Sequence, residues 1–293
     1  MVDSFFKYLE FEKRYSLHTL TSYRTDLDQF QLFLENSATP VALEKAEHQH
    51  IRSWLIHLVQ EGVSARSVNR KIASLRSFYK YAMRQGRIDN DPSSKVKMLK
   101  AGKNLPVFAK EAALTSTLDQ IIYQKGFKGL RDQLVMELLY ATGIRLSELI
   151  NLKESDIDDH QGQIKVLGKR NKQRIIPTPR SLTPLINNYQ REKKEEFPNN
   201  YSQYLIVNNK GEKSYPMMVY RIVNKALGTI SSLEKQSPHI LRHTCATHLL
   251  NKGAELNAVK ELLGHSSLAA TQVYTHNSTE RLKEIFNQSH PKA

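Results

Sequence analysis

The sequence predicts a mainly α protein of two domains: an all-helical amino-terminal domain, then a mixed α/β carboxy-terminal domain with a small β-hairpin sheet. Three observations predict it. The first hundred residues repeat apolar side chains three and four apart, the helical period. Two short runs, Gln163 to Leu167 and Arg174 to Thr178, flank the turn Gly168-Lys169-Arg170-Asn171-Lys172, the pattern of a hairpin. Between these regions, DNDPSSKVKMLKAGKNLP (89–106) has turn residues, four lysines after Ser94 and no amphipathic period, so it reads as a linker or an ordinary surface loop. With 293 residues there is room for two cores, and the expected boundaries are 1–90, a basic linker 91–108, and 109–293.

The elements follow in chain order. Ser16 is placed to cap a helix carrying Leu20, Tyr23, Leu27, Phe30 and Leu34 on one face. A second helix covers about Ile51 to Gln60 and stops near Gly62. A third begins near Ser64, with Val68, Ile72, Leu75, Tyr79 and Ala82 on its apolar stripe. Its other faces carry Arg66, Arg70, Lys71, Arg76, Lys80 and Arg84, with no acidic residue from Ser64 to Gly86 to pair with them. Contact with a DNA backbone is expected of Arg66, Arg70, Lys71, Arg76 and Lys80; the alternative is a solvated face. In the second domain a helix from about Gly129 to Tyr140 ends at Ala141-Thr142-Gly143, with Ile144-Arg145-Leu146 beyond the cap, and helices resume after Met217.

Charge narrows the partners. There are 43 Lys and Arg against 29 Asp and Glu, a net +14, which points to a polyanion: nucleic acid first, an anionic membrane surface second. The one cysteine, Cys245, excludes an intramolecular disulfide and a multi-cysteine metal site, and reads as a small buried residue. No apolar run is long enough to span a bilayer and the first residues lack a signal-peptide pattern, so a cytoplasmic address without membrane insertion is expected.

The segment 237–274 carries the most chemistry. Ser237-Pro238 starts a helix, with His239 in its first turn and Arg242 one turn on, near N–H groups that favour an anion. That helix runs to about Asn251 and stops at Gly253. Leu256 to Leu263 form another, ended by Gly264, with His265 immediately after. Ser266 or Ser267 caps a last helix bearing Tyr274. Tight turns of this kind can gather His239, Arg242, His265 and Tyr274 about one point. Such a set suits transfer of a phosphodiester without a metal. Arginines neutralise charge gathering on the non-bridging oxygens and stay ionised. Histidines donate to the same oxygens or move protons. A tyrosine phenolate can attack phosphorus and hold the strand covalently. A lysine on a hairpin tip can protonate the leaving oxygen. Taken singly, each has a plainer reading: Tyr274 as a half-buried helix tyrosine, Arg145 and Lys169 as surface cations, His239 and His243 as metal ligands four apart, His248 as a packing or surface residue.

In their order these residues resemble the tyrosine recombinase (lambda-integrase-like) family, and the resemblance covers nearly the whole chain. ATGIRLSEL holds Arg145, the GKRNK turn Lys169, HILRHTCATHLL His239 and Arg242, LLGHSS His265, and TQVYTH Tyr274. The amino-terminal SARSVNRKIASLRSFYKYAMRQG resembles the family's core-binding (SAM-like) domain, and the compact length and closing HPKA resemble its Xer branch. The resemblance implies that Arg145 and Arg242 clamp the scissile phosphate, His239 and His265 assist, and Glu148 supports the site. Lys169, with Lys172 as its rival, would be the general acid, and Tyr274 would form a 3′-phosphotyrosyl link, as in type IB topoisomerases. It further implies double-stranded DNA recombination sites as partners, four protomers on two duplexes, a second Xer recombinase, a septal FtsK-like translocase, and no cofactor or metal. The activity so implied is chromosome dimer resolution; the alternatives are a mobile-element integrase and a non-catalytic DNA-binding regulator. Leu282, Ile285 and Phe286 form an apolar stripe expected to dock on a neighbouring protomer, the alternative being packing onto its own domain.

Overall fold

The computed structural model describes residues 1–37, 39–100, 121, 123–168, 173–228, 236–264, 285–286 and 288–289, and the chain divides into two compact units, Met1–Asn104 and Leu105–Ala293.

In the first unit, α1 (Val2–Lys7) runs into a wider π-helical turn, Tyr8–Glu12. Then come α2 (Leu17–Glu35), α3 (His48–Gln60) and α4 (Ala65–Arg84). The predicted Ser16 cap forms, its Oγ accepting from Thr19 N at 3.4 Å, and Ser64 caps α4 in the same way, its Oγ accepting from Ser67 N at 3.3 Å. The apolar stripes meet in a core of Phe5, Leu27, Phe30, Leu34, Trp54, Ile72, Leu75, Phe78 and Tyr79. Phe30 and Trp54 lie 4.9 Å apart between ring centres. The Tyr79 hydroxyl stays satisfied in this core by donating to Leu43 O at 2.9 Å.

Asp26 sits at the α2–α4 seam and is fully buried. Its carboxylate accepts from Lys71 Nζ at 3.0 Å, from Ser74 Oγ at 2.8 Å, and from Arg70 Nη1. The acidic partner missing along α4 is therefore supplied from α2, which corrects the expectation for Lys71. That lysine is buried, bonded also to Gln29 Oε1, and is not part of a free basic face. Arg76, also assigned to that face, donates to Val96 O at 2.5 Å. Val96 is buried against the same core, and Leu99 and Asn69 exchange two hydrogen bonds of 2.8 and 2.9 Å. The first part of the stretch read as a linker thus lies along α4.

The second unit is built round α5 (Phe127–Thr142), in which Leu134, Val135, Met136, Leu138, Leu139, Tyr140 and Ala141 are all fully buried. A helix whose second half is buried on nearly every side belongs at the centre of its domain. Packed about it are α7 (Leu182–Glu196), α8 (Pro216–Leu227) and α9 (Pro238–Asn251). The short α6 (Leu146–Asn151) follows α5 directly, and α10 (Leu256–Leu263) packs on α9. The sheet has three antiparallel strands in the order β1 (Ile157–Asp158), β2 (Gln163–Leu167), β3 (Gln173–Pro177). Leu167 pairs with Gln173 and Val166 with Arg174, the register expected of a hairpin.

The tail departs from expectation. Phe286 is buried, and with Ile285 it packs against Leu249, Ala254, Val259 and Leu262 of its own unit. Of the tail residues predicted to dock on a neighbour, Ile285 and Phe286 are thus packed on their own unit, and Leu282 lies outside the described residues. No described helix is long and apolar enough to cross a membrane.

Asp26 predicts a stability effect. Replacing one partner of a buried ion pair strands the others without compensation, which costs about 3–5 kcal/mol. Asp26→Ala should lower the unfolding free energy of the amino-terminal unit by that amount, and its urea midpoint with it. Urea titration read by fluorescence of Trp54, the sole tryptophan, checks it. An unchanged midpoint would show that the Asp26 cluster contributes nothing net.

Candidate active site

Three arginines and one glutamate form the polar centre of the second unit. Arg145 stands at the N-cap of α6, immediately beyond the left-handed Gly143 (φ 58°) that ends α5 and the residue Ile144. Glu148, in the first turn of α6, folds back: its Oε2 accepts from Arg145 N at 2.9 Å, and its Oε1 from Arg145 Nη1 at 2.7 Å. One carboxylate therefore caps the helix and anchors the guanidinium beside it.

Glu148 is held from the other side by a residue that the sequence reading left as part of a strand. Arg174 of β3 donates Nη1 to Oε1 at 2.6 Å and Nη2 to Oε2 at 2.8 Å, a two-pronged pairing. Its presence was signalled only weakly. In β3 it occupies an inward position, alternating with the buried Ile176, where an apolar residue would be ordinary.

Arg242, from the second turn of α9, is nearly buried, and its donors go to backbone oxygens. Nη1 donates to Gly143 O, and Nη2 to Leu263 O at 2.5 Å. Arg145 Nη2 donates to Gly264 O at 2.7 Å, and Arg174 Nε to Leu262 O at 2.9 Å. Gly143 is required both by its positive φ and by space. A Cβ there would lie 2.7 Å from Leu263 Cδ2 and 3.4 Å from Cys245 Sγ. Cys245 is buried, as expected, and desolvation pushes its thiol up to about 12.

The electrostatics follow from burial and company. Burial alone would raise the Glu148 carboxyl. The hydrogen bonds and charge of Arg174, then those of Arg145, outweigh it and lower the carboxyl to about 2. Burial, followed by the charges of Arg145 and Arg174, lowers Arg242 to about 10, which leaves it cationic at neutral pH. Two donor atoms of Arg145 and two of Arg242 are taken by protein acceptors; a guanidinium has five N–H groups, so both side chains retain donors for a ligand.

Of the residues predicted to act, the structure brings Arg145, Arg242 and the supporting Glu148 together. His239 is exposed at the start of α9, one turn before Arg242. Ser237 occupies the N-cap as expected, though its side chain makes no capping bond. His248 is buried, with Nδ1 3.0 Å from the Tyr140 hydroxyl, in keeping with a packing role. Lys169 with its rival Lys172, His265 and Tyr274 lie outside the described residues. No cluster of three or more potential metal-ligating His, Cys, Asp or Glu side chains occurs among the described residues. On the first unit, Arg66 and Lys80 are exposed and Arg70 is half-exposed despite its bond to Asp26.

Comparison with known proteins places this geometry. The sequence profile of the Phage integrase family matches residues 111–281, and that of the Phage integrase N-terminal SAM-like domain matches 2–86. The chain therefore belongs to the phage integrase family, the tyrosine site-specific recombinases. It stands with the Xer members: Tyrosine recombinase XerC of Staphylococcus epidermidis is 40% identical over 291 residues, covering 99% of this chain and 97% of that protein. Tyrosine recombinase XerC of Chlorobaculum parvum is 36% identical over 317 residues, covering 100% and 94%. Among solved structures, the post-cleavage complex of XerH recombinase bound to palindromic difH substrate aligns with a TM-score of 0.73 at 24% identity, over 92% of this chain and 79% of that one. The Tn1549 transposon integrase in complex with circular intermediate DNA aligns at 0.69 and 20% identity, over 95% and 97%. Both share the fold.

The Glu148 carboxyl predicts a pH effect with a defined sign. Its folded value, about 2, lies below the ordinary 4.5, so the stability it contributes is complete above 4.5 and is lost as pH falls towards 2. Glu148→Gln should therefore be less stable than wild type by a constant margin at pH 5–8, and the margin should shrink steadily below pH 4.5. Urea midpoints measured across that range test it; a margin independent of pH would refute the assignment.

Proposed function

We propose that this chain cuts and rejoins DNA by transferring a strand to Tyr274, in the manner of Xer recombinases that resolve chromosome dimers. The observation that carries the reading is the paired anchoring of Arg145 and Arg242 on the end of α10, one residue before His265. Two cationic forks fixed in place, each with donors left over, are suited to the two non-bridging oxygens of one phosphate.

The chemistry balances as follows. The Tyr274 hydroxyl gives its proton to His239 or His265 and its oxygen attacks phosphorus, so that a P–O bond to tyrosine forms and the bond to the 5′-oxygen breaks. Lys169 supplies the proton that the 5′-oxygen needs to leave as a hydroxyl. The strand is held as a 3′-phosphotyrosyl ester, and attack by a 5′-hydroxyl reverses the step with little net change in bond energy. Arg145 and Arg242 neutralise the charge gathering on the non-bridging oxygens, with His239 and His265 assisting. The charge is supplied by side chains, so the reaction should proceed without a divalent ion, as in type IB topoisomerases.

The amino-terminal unit would bind the duplex, with Arg66, Arg70 and Lys80 among the exposed cations of α4. As in the branch it resembles, four protomers would act on two duplexes, with a second Xer recombinase and a septal translocase as partners, in the cytoplasm. The full-length similarity to proteins named XerC favours this over a mobile-element integrase, because the likeness to the Tn1549 transposon integrase is one of fold. A regulator without catalysis is disfavoured by the same arginine pair, for which it has no use.

A nicked suicide duplex tests the mechanism, its site chosen from a random-sequence pool by the protein itself. In EDTA the wild type should form a covalent protein–DNA adduct. Tyr274→Phe should bind the duplex equally and lose the adduct by about three orders of magnitude or more. An adduct that survives in the phenylalanine variant, or that requires a divalent metal, would overturn the mechanism.

A further inference from the structure

We infer that Arg174 is a positioning residue of the recombination site, bracing both acceptors of Arg145 and tying the strand behind the lysine turn to the end of α10. The inference rests on the reading of Arg145 given under Proposed function.

Four contacts support it. The Arg174 side chain is 5% exposed and pairs both nitrogens of its fork with Glu148, the acceptor of Arg145 Nη1. Its stem lies along Gly264, the acceptor of Arg145 Nη2; a Cβ on Gly264 would stand 3.2 Å from Arg174 Cδ and 3.3 Å from Nε. Its Nε donates to Leu262 O, next to the carbonyl that takes Arg242. Along the chain it is the second residue of β3, five residues after Lys169. One side chain thus touches the supports of Arg145, neighbours that of Arg242, and sits on the strand that follows the expected acid.

A purely structural arginine would be an odd choice there. Removing a guanidinium from water costs several kcal/mol, and an apolar residue facing inward beside Ile176 would fill the space without that cost. What an apolar residue cannot do is orient a carboxylate and a carbonyl in one plane. Lysine cannot either, since its ammonium is a single point of charge on a flexible stem. Because small misplacements of reacting groups cost about 10²-fold in rate, the effect should fall on chemistry more than on DNA binding.

The charged groups that face Glu148 among the described residues are Arg145 before α6, Arg174 from β3, and Arg242 from α9. Removing Arg174 takes away the strongest of the influences that keep the carboxylate ionised. Glu148 should then take up a proton in mildly acidic solution, releasing Arg145. This gives a readout that a filler role would not move.

The test compares single-turnover cleavage of the suicide duplex, at saturating protein, by wild type, Arg174→Lys, Arg174→Met and Glu148→Gln. Arg174→Lys should bind DNA within about twofold of wild type and cleave about 10–100-fold more slowly. Arg174→Met should be slower still, with a loss of rate below pH 6 that wild type lacks. If Arg174→Met alone unfolds, the double variant with Glu148→Gln removes both charges together. In that double variant the rate should match Glu148→Gln alone, because both residues act through Arg145. Wild-type rates in Arg174→Lys, or losses that add in the double variant, would overturn the inference while leaving the wild-type adduct, and so the proposed function, standing. A wild type that forms no adduct would overturn both.

Discussion

Three successive backbone carbonyls, those of Leu262, Leu263 and Gly264, each accept from a different arginine: Arg174, Arg242 and Arg145. The physics of a helix end explains why they gather there. In the last turn of α10 the Gly264 N–H closes on Glu261 O and Lys260 O, and the carbonyls beyond have no donor left within the helix. They carry the negative end of the helix dipole as well, which favours cations. The left-handed Gly264 turns the chain so that the carbonyls fan toward α9, α6 and β3 rather than toward solvent. Like charges that would otherwise repel are held in one place because each has its own acceptor, and Glu148 adds a full negative charge between two of them.

The amino-terminal unit answers a similar problem differently. There the cations Arg70 and Lys71 converge on one buried carboxylate, Asp26, with Ser74 completing its coordination. A side-chain acceptor neutralises its partners and fixes the seam between two helices. The carbonyls of α10 leave more of the positive charge of their arginines uncancelled. The first arrangement suits a brace and the second a site for an anion.

Much of this could be read along the chain. Helices α2, α4, α9 and α10 follow from apolar spacing, Ser caps and closing glycines, and the β2–β3 hairpin from its turn. Arg145, Glu148 and Arg242 are legible because helical spacing and a glycine cap put them near backbone N–H groups. What was not legible depends on partners far away in sequence. Lys71 reads as an exposed cation until Asp26, on another helix, is seen beneath it. Arg174 reads as a strand residue until α6 and α10 close over it. Helix α7 was missed because LTPLINNYQREKKEE has a proline early and charges over its second half. Phe286 shows why an apolar stripe does not name its own partner: the groove that takes it is made by α9 and α10.

The use of main-chain oxygens has an evolutionary consequence. A peptide carbonyl is supplied by any amino acid, so no substitution at positions 262 or 263 deletes the acceptor that Arg174 or Arg242 uses; the side chains there answer only to the core. Position 264 is under the opposite regime, since its backbone angle and the stem of Arg174 both forbid a side chain. Mutational drift around this centre should thus be permissive at two neighbours and closed at the third. The contrast would arise from which atoms do the holding, with no difference in distance from the reacting phosphate.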